Sequence, residues 1–307
     1  MSYEPFRYSI EDKFFRDADQ LRAAFEASVG DRTSPFEPAR FRWEYWHVPF
    51  QFSQHRTPAR TFFETELMRA FEERLLTWAS RELGVSELGA SPWLSYLIDR
   101  DFQALHRDSP NGQIAFSFGL SKPDKVRFRG GETLIARPEL LDYWGQPSFR
   151  DHEAHKPLFD VVPAKFNRLV VFDSRIPHAV QMVEGPRVAM DGRVSIQGWL
   201  RANGCILDLN TSRAEVEAHI DRELASIDVS GVDGLYSVEI HTSTRRVTND
   251  VTTKVSTLVS TSRAARVEHV VSELLAWAHR VSLPCEIKRV IVPIRIDGKT
   301  AQVARSS

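Results

Sequence analysis

Between Trp93 and Leu200 the chain breaks into short apolar runs parted by turn residues, and this texture constrains the fold more than any other feature. The runs are Trp93–Ile98, Ile114–Leu120, Glu132–Ala136, Leu169–Phe172, Ala179–Met182 and Val194–Leu200. Runs this short, with no helical period between them, favour an antiparallel sandwich or barrel over an alternating βαβ sheet. Helical periodicity lies upstream, at 18–28 and in the amphipathic stretch 61–83, where Phe62, Phe63, Leu67, Ala70, Phe71, Leu75 and Trp78 recur at three- and four-residue steps. The residues between, from Ser34 to Ala59, are rich in Pro and aromatics and read as a loop. After about Cys205 the texture changes again, to helix 212–227, strands 235–242 and 246–258, helix 264–281 and strand 287–296. The fold class is thus α+β, with flanking N-terminal helices, a β-rich body and a small C-terminal α+β unit. The domains expected are 1–205 and 206–307, the second folding separately.

Composition removes several function classes. The 307 residues carry a net charge of −1, so there is no bulk electrostatic footprint for nucleic acid or anionic lipid. Two cysteines, Cys205 and Cys285, cannot make a disulfide framework. No apolar stretch approaches the length of a membrane span, and the first residues lack the basic-then-apolar pattern of a leader, so a cytoplasmic protein is expected. Gly-x-Ser-x-Gly, a P-loop and a dinucleotide fingerprint are all missing.

The chemistry concentrates in a few residues. On a strand, His106 and Asp108 stand two apart and share a face, giving two ligands of a facial triad for non-haem Fe(II). His178, after the apolar run Leu169–Phe172 and a short turn, supplies the third. Further on, Arg193 and Ser195 share another strand face, where a guanidinium and a hydroxyl can bind a carboxylate. Metal ligands beside a carboxylate receptor suit a cosubstrate that chelates iron and has a distal carboxylate, a description that fits 2-oxoglutarate. Arg187, in the stretch before Arg193, is a rival receptor; it stands next to a proline and reads as loop, so Arg193 is preferred.

Other features have plainer explanations. Gly130-Gly131 reads as a tight turn into a strand. His152 and His155 have zinc-like spacing, but no further Cys or His follows them at ligand spacing. Trp43, Tyr45 and Trp46 read as core or barrel cover rather than a substrate cage.

Five elements stand in order: Phe102-(x)3-His106-x-Asp108-Ser109, Phe128-Arg-Gly130-Gly131-Glu132-Thr133, Phe166 to Phe172, Pro177-His178-(x)2-Gln-x-Val183, and Gly192-Arg193-Val-Ser-Ile-Gln-Gly-Trp199. Together they resemble the prolyl-4-hydroxylase-like branch of the Fe(II)/2-oxoglutarate-dependent dioxygenases, over roughly residues 90–200. The resemblance implies a double-stranded β-helix, or jelly roll, with the metal at one mouth. It implies Fe(II) held by His106, Asp108 and His178, and 2-oxoglutarate held by Arg193 with Ser195 and Tyr96 beside it. O2 is the second cosubstrate, and the family admits ascorbate as an auxiliary. The implied activity is that of an oxidoreductase: hydroxylation of an unactivated C–H bond in an amino-acid, peptide or natural-product substrate, with release of succinate and CO2. The alternatives are a desaturase or cyclase using the same chemistry, and a non-catalytic metal-binding interaction protein; Asp108 argues against a halogenase, which needs that coordination site for chloride. One departure is the fourteen residues between His178 and Arg193, where members commonly have about ten. Substrate selection is expected in 40–60 and 140–156. The C-terminal part is loosely similar to the C-terminal domains of TonB-like proteins, and reads as a module for homodimerisation or a partner.

Overall fold

The structure is a computed structural model and describes residues 3–30, 43–109, 111–122, 128–138, 140, 158–185, 187–208, 212–242, 248–261, 266–284 and 287–305. Its strands are β1 (Tyr8–Asp12), β2 (Glu44–Val48), β3 (Phe52–Pro58), β4 (Glu87–Leu88), β5 (Trp93–Leu97), β6 (Phe102–His106), β7 (Ile114–Gly119), β8 (Thr133–Ala136), β9 (Phe159–Val162), β10 (Arg168–Asp173), β11 (His178–Val180) and β12 (Arg193–Arg201). After these come β13 (Ile206–Leu207), β14 (Val232–His241), β15 (Asp250–Ser256), β16 (Val259–Ser260), β17 (Arg289–Asp297) and β18 (Ala301–Val303). The helices are α1 (Ala18–Gly30), α2 (Ala59–Phe62), α3 (Thr65–Leu83), α4 (Arg213–Leu224) and α5 (Val267–Arg280).

The chain divides into two compact units, one of residues 8–72 and 89–199, the other of 1–7, 73–88 and 200–307. A boundary at 205 therefore separates the C-terminal residues from two N-terminal segments that cluster with them.

The first unit is a jelly-roll core. Its curled sheet runs β1-β10-β7-β12-β5-β3-β6-β11-β8-β9, with β2 on β3, and its pairings are antiparallel. β3 joins the four strands β10, β7, β12 and β5 to the four strands β6, β11, β8 and β9. Helix α1 buries Ala18, Leu21 and Phe25. Arg22 on the same helix is also fully buried; its guanidinium donates to Glu26 and to the Leu120 and Met190 carbonyls at 2.7, 3.2 and 2.6 Å. At the start of α3, Phe71 packs on Phe15 and Phe118, with ring centroids 5.5 and 4.9 Å apart.

In the second unit the sheet runs β13-β17-β14-β15, with β16 on β14 and β18 on β17. Its core joins Val216, Ile220 and Leu224 of α4, Val267, Val270, Leu274 and Trp277 of α5, and the inner residues of β14 and β17. Leu75, Trp78 and Leu83 of α3 are buried as well.

Several elements differ from the sequence reading. The aromatic stretch read as a loop contains the hairpin β2–β3, turned through Phe50 at φ +63°. Its strands carry polar residues on both faces (Phe52-Ser-Gln-His-Arg-Thr), so no period-two apolar signal marks them. The helix read over 61–83 is two helices, because Phe63 takes an extended conformation between them. β1 and β9 escape notice because, respectively, charged residues and a half-exposed Val161 blur their alternation.

The Gly130-Gly131 turn leads into β8 with both residues at positive φ, +74° and +77°. A Cβ at Gly130 would fall 1.9 Å from the Met182 carbonyl oxygen, which is backbone and cannot swing aside. Gly130→Ala is expected to destabilise the fold by about 2 kcal/mol or more, measured by denaturant unfolding. An unchanged midpoint would show that the two loops have slack.

Candidate metal centre

The triad is assembled by strand register. His178 opens β11 and stands directly opposite His106, the last residue of β6, with ring centroids 4.3 Å apart. Each Nδ1 faces the carbonyl two residues earlier, Ala104 for His106 at 2.8 Å and Ile176 for His178 at 3.0 Å. Donation from Nδ1 to those carbonyls fixes the tautomer and leaves each Nε2 with its lone pair toward the centre, the usual support for a metal-binding imidazole.

Asp108 joins them by another route than strand alternation. β6 ends at His106, so Asp108 lies in the following loop, where its N–H donates to the Ser174 carbonyl at 2.8 Å. The loop, not a shared strand face, carries the carboxylate into place. Its oxygens lie 3.6 Å from His106 Nε2 and 3.4 Å from His178 Nε2. All three ligand atoms fall within 4.8 Å of one another. Burial pushes the Asp108 carboxyl up, but His178, His106 and the Trp199 indole outweigh it and hold it below the usual carboxylate range. Burial, then the neighbouring His178, pushes His106 down. A carboxylate and two imidazoles, converging through their Nε2 atoms, fit a ferrous ion.

These ligands line a cavity of about 480 Å³ that Arg193 also reaches. The Arg193 guanidinium is buried; Nε donates to the Gly131 carbonyl at 2.7 Å, Nη1 to Ser195 Oγ at 3.1 Å and Nη2 to Thr133 Oγ1 at 3.4 Å. Among the described residues no carboxylate pairs with it directly. Burial pushes its pKa down to about 10, with Glu132 opposing through space. A buried cation held by neutral groups is costly by itself and awaits an anion, so the site fits the distal carboxylate of 2-oxoglutarate. Arg187, the rival, is 87% exposed, with Nε 3.8 Å from Asp99.

Tyr96 is a correction. In the β5–β12 register it pairs with Val194, whereas Ser95 pairs with Ser195 and Leu97 with Arg193. The alternation turns Tyr96 to the opposite face of the sheet, where its ring stacks on His55 at 4.6 Å and packs against Trp43 at 4.7 Å. It is not among the cavity's lining residues. The aromatic cluster splits likewise: Trp43 packs among Phe25, Phe62 and Tyr96, Tyr45 is exposed, and Trp46 lines the cavity. Sequence reading missed the residues of β3 that line the cavity (Phe52, Gln54, Arg56), whose spacing of two was the available signal. His152, His155, Cys285 and 141–156 lie outside the described residues. Cys205 is buried.

If Arg193 is the anion receptor, 2-oxoglutarate should stabilise the folded protein. With Fe(II) and no oxygen, ligand at a hundred times its Kd contributes about 2.7 kcal/mol. We expect a rise of several degrees in Tm, largely lost in Arg193→Leu. Equal shifts in the two proteins would place the carboxylate elsewhere.

A jelly roll bearing a two-histidine, one-aspartate centre beside a buried, unneutralised arginine defines a class, the non-haem iron oxygenases that consume a 2-oxo acid. Residues 94–201 match the family profile of the 2OG-Fe(II) oxygenase superfamily. That segment, about a third of the chain, is similar to the members of this superfamily, which are oxygenases that use Fe(II), 2-oxoglutarate and O2. Among solved structures it is similar to a prolyl-4-hydroxylase from Pseudomonas putida, with 17% identity, coverage of 65% of this chain and 94% of that one, and a TM-score of 0.43. It is also similar to a prolyl hydroxylase from Trichoplax adhaerens, in complex with a hypoxia inducible factor oxygen degradation domain peptide fragment, at 15% identity, 63% and 82% coverage and TM-score 0.39. A third is the non-heme alpha ketoglutarate dependent carbocyclase SnoK from nogalamycin biosynthesis, at 14% identity, 64% and 81% coverage and TM-score 0.42. No curated protein matches the chain in sequence. The likeness of the C-terminal part to TonB-like domains finds no support in these matches, and the family profile ends at residue 201. Among the described residues no helix is long and apolar enough to cross a membrane.

Proposed function

We propose that this oxygenase hydroxylates an unactivated C–H bond of an amino-acid, peptide or natural-product substrate, converting 2-oxoglutarate to succinate and CO2. The observation that carries the reading is the convergence of His106, Asp108, His178 and the buried Arg193 on one cavity. His106 and His178 would bind the metal through Nε2 and Asp108 through its carboxylate. Iron held there, with its two cosubstrates, supplies the oxidising power that removes a hydrogen from carbon. The chain's own part is placement. Arg193, with Ser195 and Thr133 fixing its guanidinium, would hold the distal carboxylate of 2-oxoglutarate. Asp108 stays ionised because two imidazoles and an indole N–H surround it. Phe116, Phe172, Trp93 and Trp199 line the same cavity and would give the reacting carbon an apolar surface to lie against.

The test is a panel of amino acids, peptides and natural-product acids scored by substrate-dependent succinate release, with the product analysed by mass spectrometry. Hydroxylation adds one oxygen atom to the product. A product that has instead lost two hydrogens would move the enzyme to the desaturase or cyclase reading. The C-terminal unit is read as an accessory module for a partner or a second copy, to be tested by sedimentation of the full chain.

A further inference from the structure

The cavity wall contains a group that neither the metal nor the cosubstrate uses. Arg56 of β3 lies between two indoles, its guanidinium carbon 4.1 Å from the ring centroid of Trp46 and 4.4 Å from that of Trp93. The sandwich follows from register: on adjoining strands, Arg56 stands opposite Glu44 of β2 and Ser95 of β5, with Trp46 two residues after Glu44 and Trp93 two residues before Ser95. Two aromatic faces hold the planar fork in one orientation, so little side-chain entropy is lost when it takes a ligand. One edge is used, Nε donating to Glu44 Oε2 at 2.9 Å. Glu44 is 53% exposed and the Arg56 side chain 19%, so water screens the pair.

The charges lining the cavity point the same way. Among the described residues they comprise three arginines (Arg56, Arg107 and Arg193) and one acid, Asp108, which is a candidate metal ligand. A ferrous ion, Asp108, Arg193 and a dicarboxylate cosubstrate cancel one another, and Arg56 and Arg107 are left over. Glu44, which pairs with Arg56, is not among the lining residues. The rest of the wall is apolar or neutral: Phe52, Phe116, Phe172 and Trp199 beside the amides of Gln54 and Gln103, which bond to each other at 2.8 Å.

Resting on the oxygenase reading, we infer that the substrate is an organic acid and that Arg56, clamped between Trp46 and Trp93, receives its carboxylate. The apolar body then lies along Phe52, Phe116 and Phe172, toward the metal. A single guanidinium, already partly balanced by Glu44, suits one negative charge and not a phosphate dianion. Arg56 is thus a specificity-determining residue, while the triad and Arg193 serve the chemistry common to any substrate.

The experiment uses the full-length protein with Fe(II) and 2-oxoglutarate in the absence of oxygen. The probes are N-acetyl-L-phenylalanine, N-acetyl-L-leucine and L-proline, each beside its primary carboxamide, with dissociation constants from ligand-observed NMR titration. The acid-to-amide ratio is read within each variant, so a loss of folded protein affects both members of a pair alike. At least one acid should bind about tenfold or more tightly than its amide, the difference of one charge-assisted hydrogen-bonded pair. Arg56→Leu should erase that preference and Arg56→Lys should keep part of it. Glu44→Gln should tighten acid binding by removing the competing carboxylate; if the stack is only a clamp for the hairpin, that variant weakens or leaves it. The inference is overturned if no acid binds, if amides bind as well as acids, if the preference survives Arg56→Leu, or if Glu44→Gln fails to tighten it. Binding is read without turnover, so a wild-type protein that forms no succinate in air would count against the oxygenase reading and leave this result to stand or fall separately.

Discussion

Purified His178→Ala protein is expected to bind Fe(II) more than about 100-fold more weakly than the wild type and to form no succinate. Loss of a partner that merely orients a ligand costs 10–100-fold in metal affinity, so loss of the ligand itself should cost more. The site has no spare donor: among the described residues the only group of three or more metal-binding side chains is His106, Asp108 and His178. His106→Ala should behave alike, since its Nε2 is held by the same kind of contact, from Nδ1 to a carbonyl two residues back. Both losses are measured by equilibrium dialysis against Fe(II), with circular dichroism showing that each variant is folded. Wild-type iron binding by either folded variant would remove that histidine from the ligand set.

The second large effect is on the cosubstrate. Arg193→Leu is expected to raise the KM for 2-oxoglutarate by about 30-fold or more, because truncating one partner of a buried charged pair costs about 2–5 kcal/mol. Ser195 and Thr133 are neutral and orient the guanidinium without replacing its charge, and the two cations that share a small cavity with Arg193, Lys165 and Arg168, are engaged by Asp12. Arg187→Leu should leave KM near the wild-type value, since that side chain is 87% exposed and lies against Asp99. Initial rates of succinate formation at varied 2-oxoglutarate decide the ranking. The reverse order would mean that the longer connection before β12 shifts the receptor to Arg187.

Much of the centre is legible in the sequence because it depends on local pattern. His106 and His178 end and begin apolar runs, Arg193 opens another, and antiparallel register then brings the two imidazoles face to face. Asp108 was readable as a ligand but not for the reason its spacing suggested: the strand stops at His106, and a backbone hydrogen bond to Ser174, distant in sequence, positions the carboxylate. Tyr96 misled for a related reason. A polar aromatic on a barrel strand has two faces to choose between, and only the pairing with Val194 shows which one it takes. The β2–β3 hairpin is hidden because one face of β3 carries Gln54 and Arg56 into the cavity and the other carries Ser53 and His55 beside the buried Asp101, so neither is uniformly apolar. Periodicity finds strands that bury one greasy face, and a strand that builds a binding site does not have one. The grouping of 1–7 and 73–88 with the C-terminal residues is tertiary information as well: a Cβ at Gly84 would collide with Ser237 and Ile291, contacts that span more than 150 residues of sequence.

The most direct test of the account is the fate of 2-oxoglutarate in the presence of the purified full-length protein. With Fe(II) and O2, the protein should convert 2-oxoglutarate to equal amounts of succinate and CO2. Omitting iron or oxygen, or replacing His178 with alanine, should abolish the conversion. A folded wild-type protein that binds Fe(II) at the triad and yet leaves 2-oxoglutarate intact, alone and with every member of the substrate panel, would contradict it.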